Sequence, residues 1–166
     1  MITEPCRLAR EELFERFPTV VDGGYYNRRK IAGTNTWSQH SWGNATDLFG
    51  PRATLDSVAK YCRQEKTRLN IRNLLWWVRD HYDHIHLDFN PKQAGTPPLN
   101  PPEDDVEAIK GIQRSLNRAG HKDPDGNPLV VDGKWGPNTE HAFSLMCVGY
   151  QPPDSFTITS GHIDVT

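Results

Sequence analysis

Residues 91 to 102, PKQAGTPPLNPP, place five prolines in twelve positions. Proline has no backbone N–H and its ring clashes with the preceding helical turn, so neither a helix nor a central strand runs through such a stretch. Pro-rich chain is extended and semi-rigid at about 3.1 Å per residue, a reach on the order of 35 Å here. A long surface loop is the alternative, but the patterning differs on the two sides, which favours a boundary. The chain reads as a unit over 1–90, a linker over 91–102, a second unit over 103–150 and a tail over 151–166 to which no role is assigned.

Ahead of the linker the pattern mixes α and β. Residues 6–16 read as helix. Thr54 reads as an N-cap followed by Leu55, Val58, Ala59 and Cys62, one apolar helical face. LLWWV, 74–78, is a short apolar run, strand or buried helix. Residues 84–89 alternate, with Ile85, Leu87 and Phe89 on one side and His84, His86 and Asp88 on the other. Behind the linker the pattern is helical. Glu103, Asp104 and Asp105 suit a helix start, Val106, Ile109, Ile112, Gln113 and Leu116 stripe one side, and Gly120 suits a stop. A second helix begins near Pro137 to Thr139. The expected class is α+β, a small antiparallel sheet with helices, joined to a small all-α second domain.

Several function classes drop out. Apolar residues make up 36% of the chain and the mean hydropathy is -0.70. No apolar run approaches the roughly 18 residues that cross a bilayer, so no membrane insertion is expected. MITEPCRLAREELFERF is charged and is no secretory signal, so the protein is expected to be made in the cytoplasm without its own export route. A net charge of -2, with basic residues scattered, speaks against nucleic acid as a partner. Cys6, Cys62 and Cys147 are widely spaced with no CxxC, so a metal site must come from histidine and carboxylate.

Two imidazoles and a carboxylate on one face of a strand call for a cation or a shared proton, although a surface strand that happens to be His-rich looks the same. Zinc takes three nitrogen or oxygen ligands plus an open position in a catalytic site. One strand cannot supply all three, and WSQHSWGNATD, 37–47, offers His40 and Asp47 with the small Gly43 and Ala45 between them. His40, Asp47 and His86 make a mixed set suited to zinc.

Ser38-x-His40-x-x-Gly43-x-Ala45-x-Asp47 followed by Asp83-x-x-His86 resembles the zinc D-Ala-D-Ala carboxypeptidase and peptidoglycan endopeptidase family, which includes phage L-alanoyl-D-glutamate endolysins and the hedgehog signalling domain. The resemblance covers about residues 20–90 and extends to the upstream Tyr26-Asn27-Arg28-Arg29-Lys30-Ile31-Ala32-Gly33. It implies a hedgehog-like fold, Zn2+ on His40, Asp47 and His86, and a general base at Asp83, where an aspartate leans toward the endolysin branch. Asp83 has the opposite parity to His86 on an ideal strand, so it must lie in the turn before the strand. In a related murein endopeptidase group the first histidine of the HxH strand stands beside the metal and a further histidine matches His81. That assigns His84 to transition-state hydrogen bonding or support of a ligand, and His81 to the substrate side. Arg29 suits a substrate carboxylate or is a plain surface arginine. Ser38 supports the His40 loop, and Thr46 stands where the family pattern has an apolar residue.

Ile109-Lys110-x-Ile112-Gln113-x-x-Leu116-Asn117-x-x-Gly120 and Val131-Asp132-Gly133-x-Trp135-Gly136-Pro137-x-Thr139-x-x-Ala142-Phe143 resemble the peptidoglycan-binding module of wall hydrolases, a bundle of three short helices. Gly133, Gly136 and Pro137 read as scaffold, and Trp135 as a ring that stacks on sugar or peptide. Together the resemblances imply a monomeric phage-type endolysin acting on bacterial peptidoglycan at the cell wall, released by another agent. The alternatives are a catalytically inactive zinc-stabilised wall-binding protein and a D,D-carboxypeptidase.

Overall fold

A computed structural model describes residues 2–98 and 102–147, and the tail over 151–166 lies outside them. The fold is α+β, with four α-helices and a four-stranded antiparallel sheet. In chain order the elements are α1 (Glu4–Arg16), β1 (Val21–Asp22), a 3-10 turn (Gln39–Trp42), β2 (Ala45–Phe49), α2 (Arg52–Gln64), β3 (Ile71–Leu75), β4 (Ile85–Phe89), α3 (Pro102–Arg118) and α4 (Pro137–Cys147). The sheet order is β1-β2-β4-β3, so β2 and β4 are its central strands.

The apolar side of β4 faces the main core. Ile85, Leu87 and Phe89 are fully buried with Leu48 of β2, Leu13 of α1 and Leu55, Val58, Ala59 and Cys62 of α2. Burying a side chain of this size contributes about 1.5–3 kcal/mol, so α1 and α2 hold that face shut. The opposite face of β2 and β4 is left for the polar residues.

Local chemistry moves some boundaries from their expected places. Helix α2 starts behind Pro51, whose φ of -56° and ψ of 138° supply an extended cap, and Thr54 sits one turn inside with its hydroxyl 3.4 Å from that of Thr19. Strand β3 covers Ile71–Leu75 rather than 74–78, because Trp77 adopts a left-handed φ of 57° and turns the chain toward His81. The segment Ala45–Phe49, to which the sequence pattern assigns no secondary structure, is a central strand.

After residue 102 two helices are described, joined by an irregular segment. Gly133 has a φ of 75°, and a Cβ there would come within 2.6 Å of Val106 Cγ1, so glycine is required both for the turn and for the close approach. These helices rest on the β1 side of the sheet. Val21 and Phe49 share a second apolar cluster with Ile112, Leu116, Leu129 and Ala142, with Trp135 and Phe143 packed against it. Asp22 N–H donates to Ser115 Oγ (2.9 Å), and the Arg118 guanidinium donates to the carbonyl of Val20 (3.4 Å). The start of the proline-rich stretch is also anchored, Gln93 N–H donating to Gln39 Oε1 (2.9 Å). No described helix is long and apolar enough to cross a membrane.

Candidate metal centre

His40 lies in the 3-10 turn, Asp47 on β2 and His86 on β4. Asp47 and His86 are direct partners in the antiparallel register. Because they oppose each other across neighbouring strands, their side chains leave the sheet on the same face. His40 reaches that point because its turn folds over the sheet. Ser38 Oγ caps the turn at His40 N–H (3.4 Å), and Gly43 closes it with a φ of 63°. The glycine therefore serves a left-handed cap, rather than only the close backbone approach its size suggested.

The three side chains converge. His40 Nε2 is 3.3 Å from Asp47 Oδ1 and 3.2 Å from His86 Nδ1, and His86 Nδ1 is 3.0 Å from Asp47 Oδ1. Each ring nitrogen carries at most one proton, and two protons cannot bridge three edges. A cation satisfies all three lone pairs at once. Ligands about 2.0–2.1 Å from a tetrahedral ion are about 3.3–3.4 Å apart, close to the spacing found. The group can hold a metal ion.

Charge around the triad is tightly coupled. Burial opposes a charge on His86, but the carboxylates of Asp47 and Asp88 outweigh it and raise its pKa to about 9. Burial likewise opposes ionisation of Asp47, yet His40, His84 and His86 hold its carboxyl well below the usual carboxylate range. Behind His86, Asp88 Oδ2 lies 3.7 Å from Nε2 and is fixed by Arg72 (2.6 Å) and Asn73 (3.1 Å). A carboxylate on the far nitrogen is the usual device for orienting a metal-binding imidazole.

The remaining expected residues divide into two groups. Asp83 is in the bend before β4, as its parity required, and its Oδ1 is 2.7 Å from His84 Nδ1. His84 Nε2 points toward Asp47 Oδ1 at 3.8 Å. The His81 ring lies 4.9 Å from that of His84 and 5.6 Å from that of His86, and burial together with His84 lowers its pKa. Arg29 is exposed, and its backbone accepts from and donates to Ser41 Oγ. Trp135 is away from the triad. Its ring packs edge-on against Phe143 and its buried Nε1–H has no partner among the described residues.

Sequence reasoning missed the scaffold under His40. Asn44 is fully buried and its Nδ2 donates to Gln39 Oε1 (2.9 Å), to the carbonyl of Phe89 (2.9 Å) and to that of Pro91 (3.1 Å). Thr46 is also fully buried, and its hydroxyl accepts from the Arg10 guanidinium (2.5 Å), which itself is ion-paired to Asp22. That pairing explains a hydroxyl in a core position. No protein-family model matches the chain, and neither a curated protein nor a solved structure matches it.

Proposed function

We infer that the protein is a zinc peptidase that hydrolyses an amide bond in the peptide part of bacterial peptidoglycan, a phage-type endolysin whose residues 103–150 bind the wall. The observation that carries the reading is the convergence of His40 Nε2, Asp47 Oδ1 and His86 Nδ1 within 3.3 Å of one another, beside the Asp83–His84 pair. Those three residues would hold a zinc ion, which would supply Lewis acidity toward a bound water and a scissile carbonyl. Asp83 takes the proton of the attacking water and delivers it to the departing amine. His84, facing the centre with Nε2, donates a hydrogen bond to the substrate carbonyl oxygen as negative charge builds there. His81 lines the approach, Ser38 keeps the His40 turn in place, Arg29 pairs with a substrate carboxylate, and Trp135 contributes a stacking surface to the wall-binding unit.

The 2.7 Å contact between Asp83 and His84 favours a second assignment of the proton transfer, in which His84 is the base and Asp83 orients it. Two variants separate the assignments. Asp83→Asn keeps one zinc per chain and abolishes wall lysis if Asp83 moves the proton itself. A residual rate of a few per cent in Asp83→Asn, with none in His84→Ala, assigns the proton to His84. Unchanged lysis in both variants defeats both assignments of the base. The fragments of digested, purified peptidoglycan, weighed by mass spectrometry, identify the bond and separate endopeptidase from carboxypeptidase action.

A further inference from the structure

We propose that the C-terminal helices position His84, through a chain of aromatic rings that runs from Trp135 to Phe143 to Phe49. The proposal rests on the peptidase reading only for its kinetic readout. Phe49 closes β2 two residues after Asp47, so it stands on the same face of the sheet as the triad. Its ring centroid is 5.2 Å from that of His84, with 30° between the planes. On its other side the Phe143 ring meets it edge-on at 5.2 Å, and Trp135 meets Phe143 in the same manner at 5.3 Å.

Phe49 has nowhere to retreat. Behind it is Gly23, where a Cβ would stand 2.3 Å from Phe49 Cε2, so the ring already fills the space down to the β1 backbone. His84 is also held by Asp83 at Nδ1 and packs against the His81 ring. A close-packed interior passes a displacement on instead of absorbing it. A shift of Phe143 therefore moves Phe49, and a shift of Phe49 moves His84. The seat of the helices is fixed independently by Ser115 on Asp22 and by Arg118 on Val20. Phe49 and Phe143 touch no reacting atom in this scheme. They are positioning residues, and the unit read as a wall anchor also completes the geometry of the site.

The test uses the full zinc-loaded chain and a soluble peptidoglycan peptide, which removes wall affinity from the measurement. Phe143→Ala lowers kcat about tenfold with KM unchanged, since a misplacement on the order of 1 Å suffices for such a loss. Phe143→Leu, which keeps the apolar contact without the ring edge, gives a loss of about threefold on the same scale. Leu145→Ala, an exposed position on the same helix, leaves the rate as it was. Zinc content stays at one per chain in all three, and the imidazole NMR signals of His84 move in both Phe143 variants but not in Leu145→Ala. If Phe143→Ala does not fold, Phe143→Leu carries the comparison. Unchanged His84 signals in a folded Phe143 variant overturn the proposal, whatever the rate does, and so does an equal loss in Leu145→Ala. If the wild-type protein cleaves no peptide, the peptidase reading falls, while the His84 signals still decide the coupling.

Discussion

Two polar clusters in this molecule are each held by hydrogen bonds within the protein and differ in the chemistry of the groups they bring together. Gln113, only 1% exposed, lies at the centre of the C-terminal helices. Its Nε2 donates toward Asp132 Oδ1 (3.0 Å), the Lys134 carbonyl (3.1 Å) and Thr139 Oγ1 (3.1 Å), and its Oε1 accepts from Gly133 N–H (2.9 Å). Every donor and acceptor of that amide is used by the protein itself. At the His40–Asp47–His86 cluster two imidazole nitrogens and a carboxylate oxygen, all able to ligate a cation, converge within 3.3 Å of one another. A cluster that satisfies itself is scaffold, because nothing is gained by adding a ligand to it. A cluster whose converging atoms are all potential metal ligands can take up an ion that arrives from outside.

The comparison fails if the two clusters respond alike to substitution. The largest effect is expected from His86→Ala, which takes the zinc content, read by atomic emission on dialysed protein, from one per chain to none. Gln113→Leu is expected to leave that content at one and to lower the unfolding free energy by about 3 kcal/mol, since it strands Gly133 N–H and the groups around Asp132. Zinc loss in Gln113→Leu, or zinc retention in His86→Ala, would erase the distinction.

Removing the metal sharpens it further. In the zinc-free protein the pKa of His86 is raised to about 9 from an ordinary value of 6.5. A raised histidine stabilises the folded state in full below the unfolded pKa and loses that contribution as pH rises through the folded one. The Tm of zinc-free protein should therefore fall between about pH 6.5 and pH 9, whereas the zinc-loaded form, with no proton left on the ligating nitrogen, should be flat over that window. Differential scanning calorimetry on both forms decides it. The smallest effect concerns Cys6, which burial raises to about 12 and whose Sγ lies 3.4 Å from the Ala45 carbonyl under the sheet. In a Cys147→Ser background neither Cys6 nor Cys62 should react with iodoacetamide until the protein unfolds, with or without zinc. Protection that appears only on adding zinc would make a thiol part of the centre.

The amphipathic stripe of α2, the alternation of β4 and the convergence of His40, Asp47 and His86 were legible because each depends on spacing along one short segment or on a pattern that a small donor set makes rare. Strand β2 was not, since Ala45 to Phe49 is buried on both faces in a pattern without polar alternation, and its strand character comes from pairing with β4. Asn44, Gln39 and Ser41 were equally invisible. Their hydrogen bonds join parts of the chain up to 54 positions apart, and nothing in the local sequence announces a partner at that distance. Thr46 was visible as an anomaly without a cause, and the cause, Arg10, is on a helix 36 residues away.

Asp47 and His86 face each other from adjoining strands at the centre of the sheet, so the backbone gap beneath two of the three converging side chains is fixed by inter-strand spacing. To widen it, the backbone ladder itself would have to spread. An ion held there would meet donors 3.0–3.3 Å apart, a spacing that suits bonds of about 2.0–2.1 Å better than calcium, whose six to eight oxygens sit at about 2.3–2.6 Å. Were an ion bound there, selection among cations would depend on the pitch of the β-sheet, and a mutation that alters metal preference should be sought in the strands as well as among the residues that hold the ion.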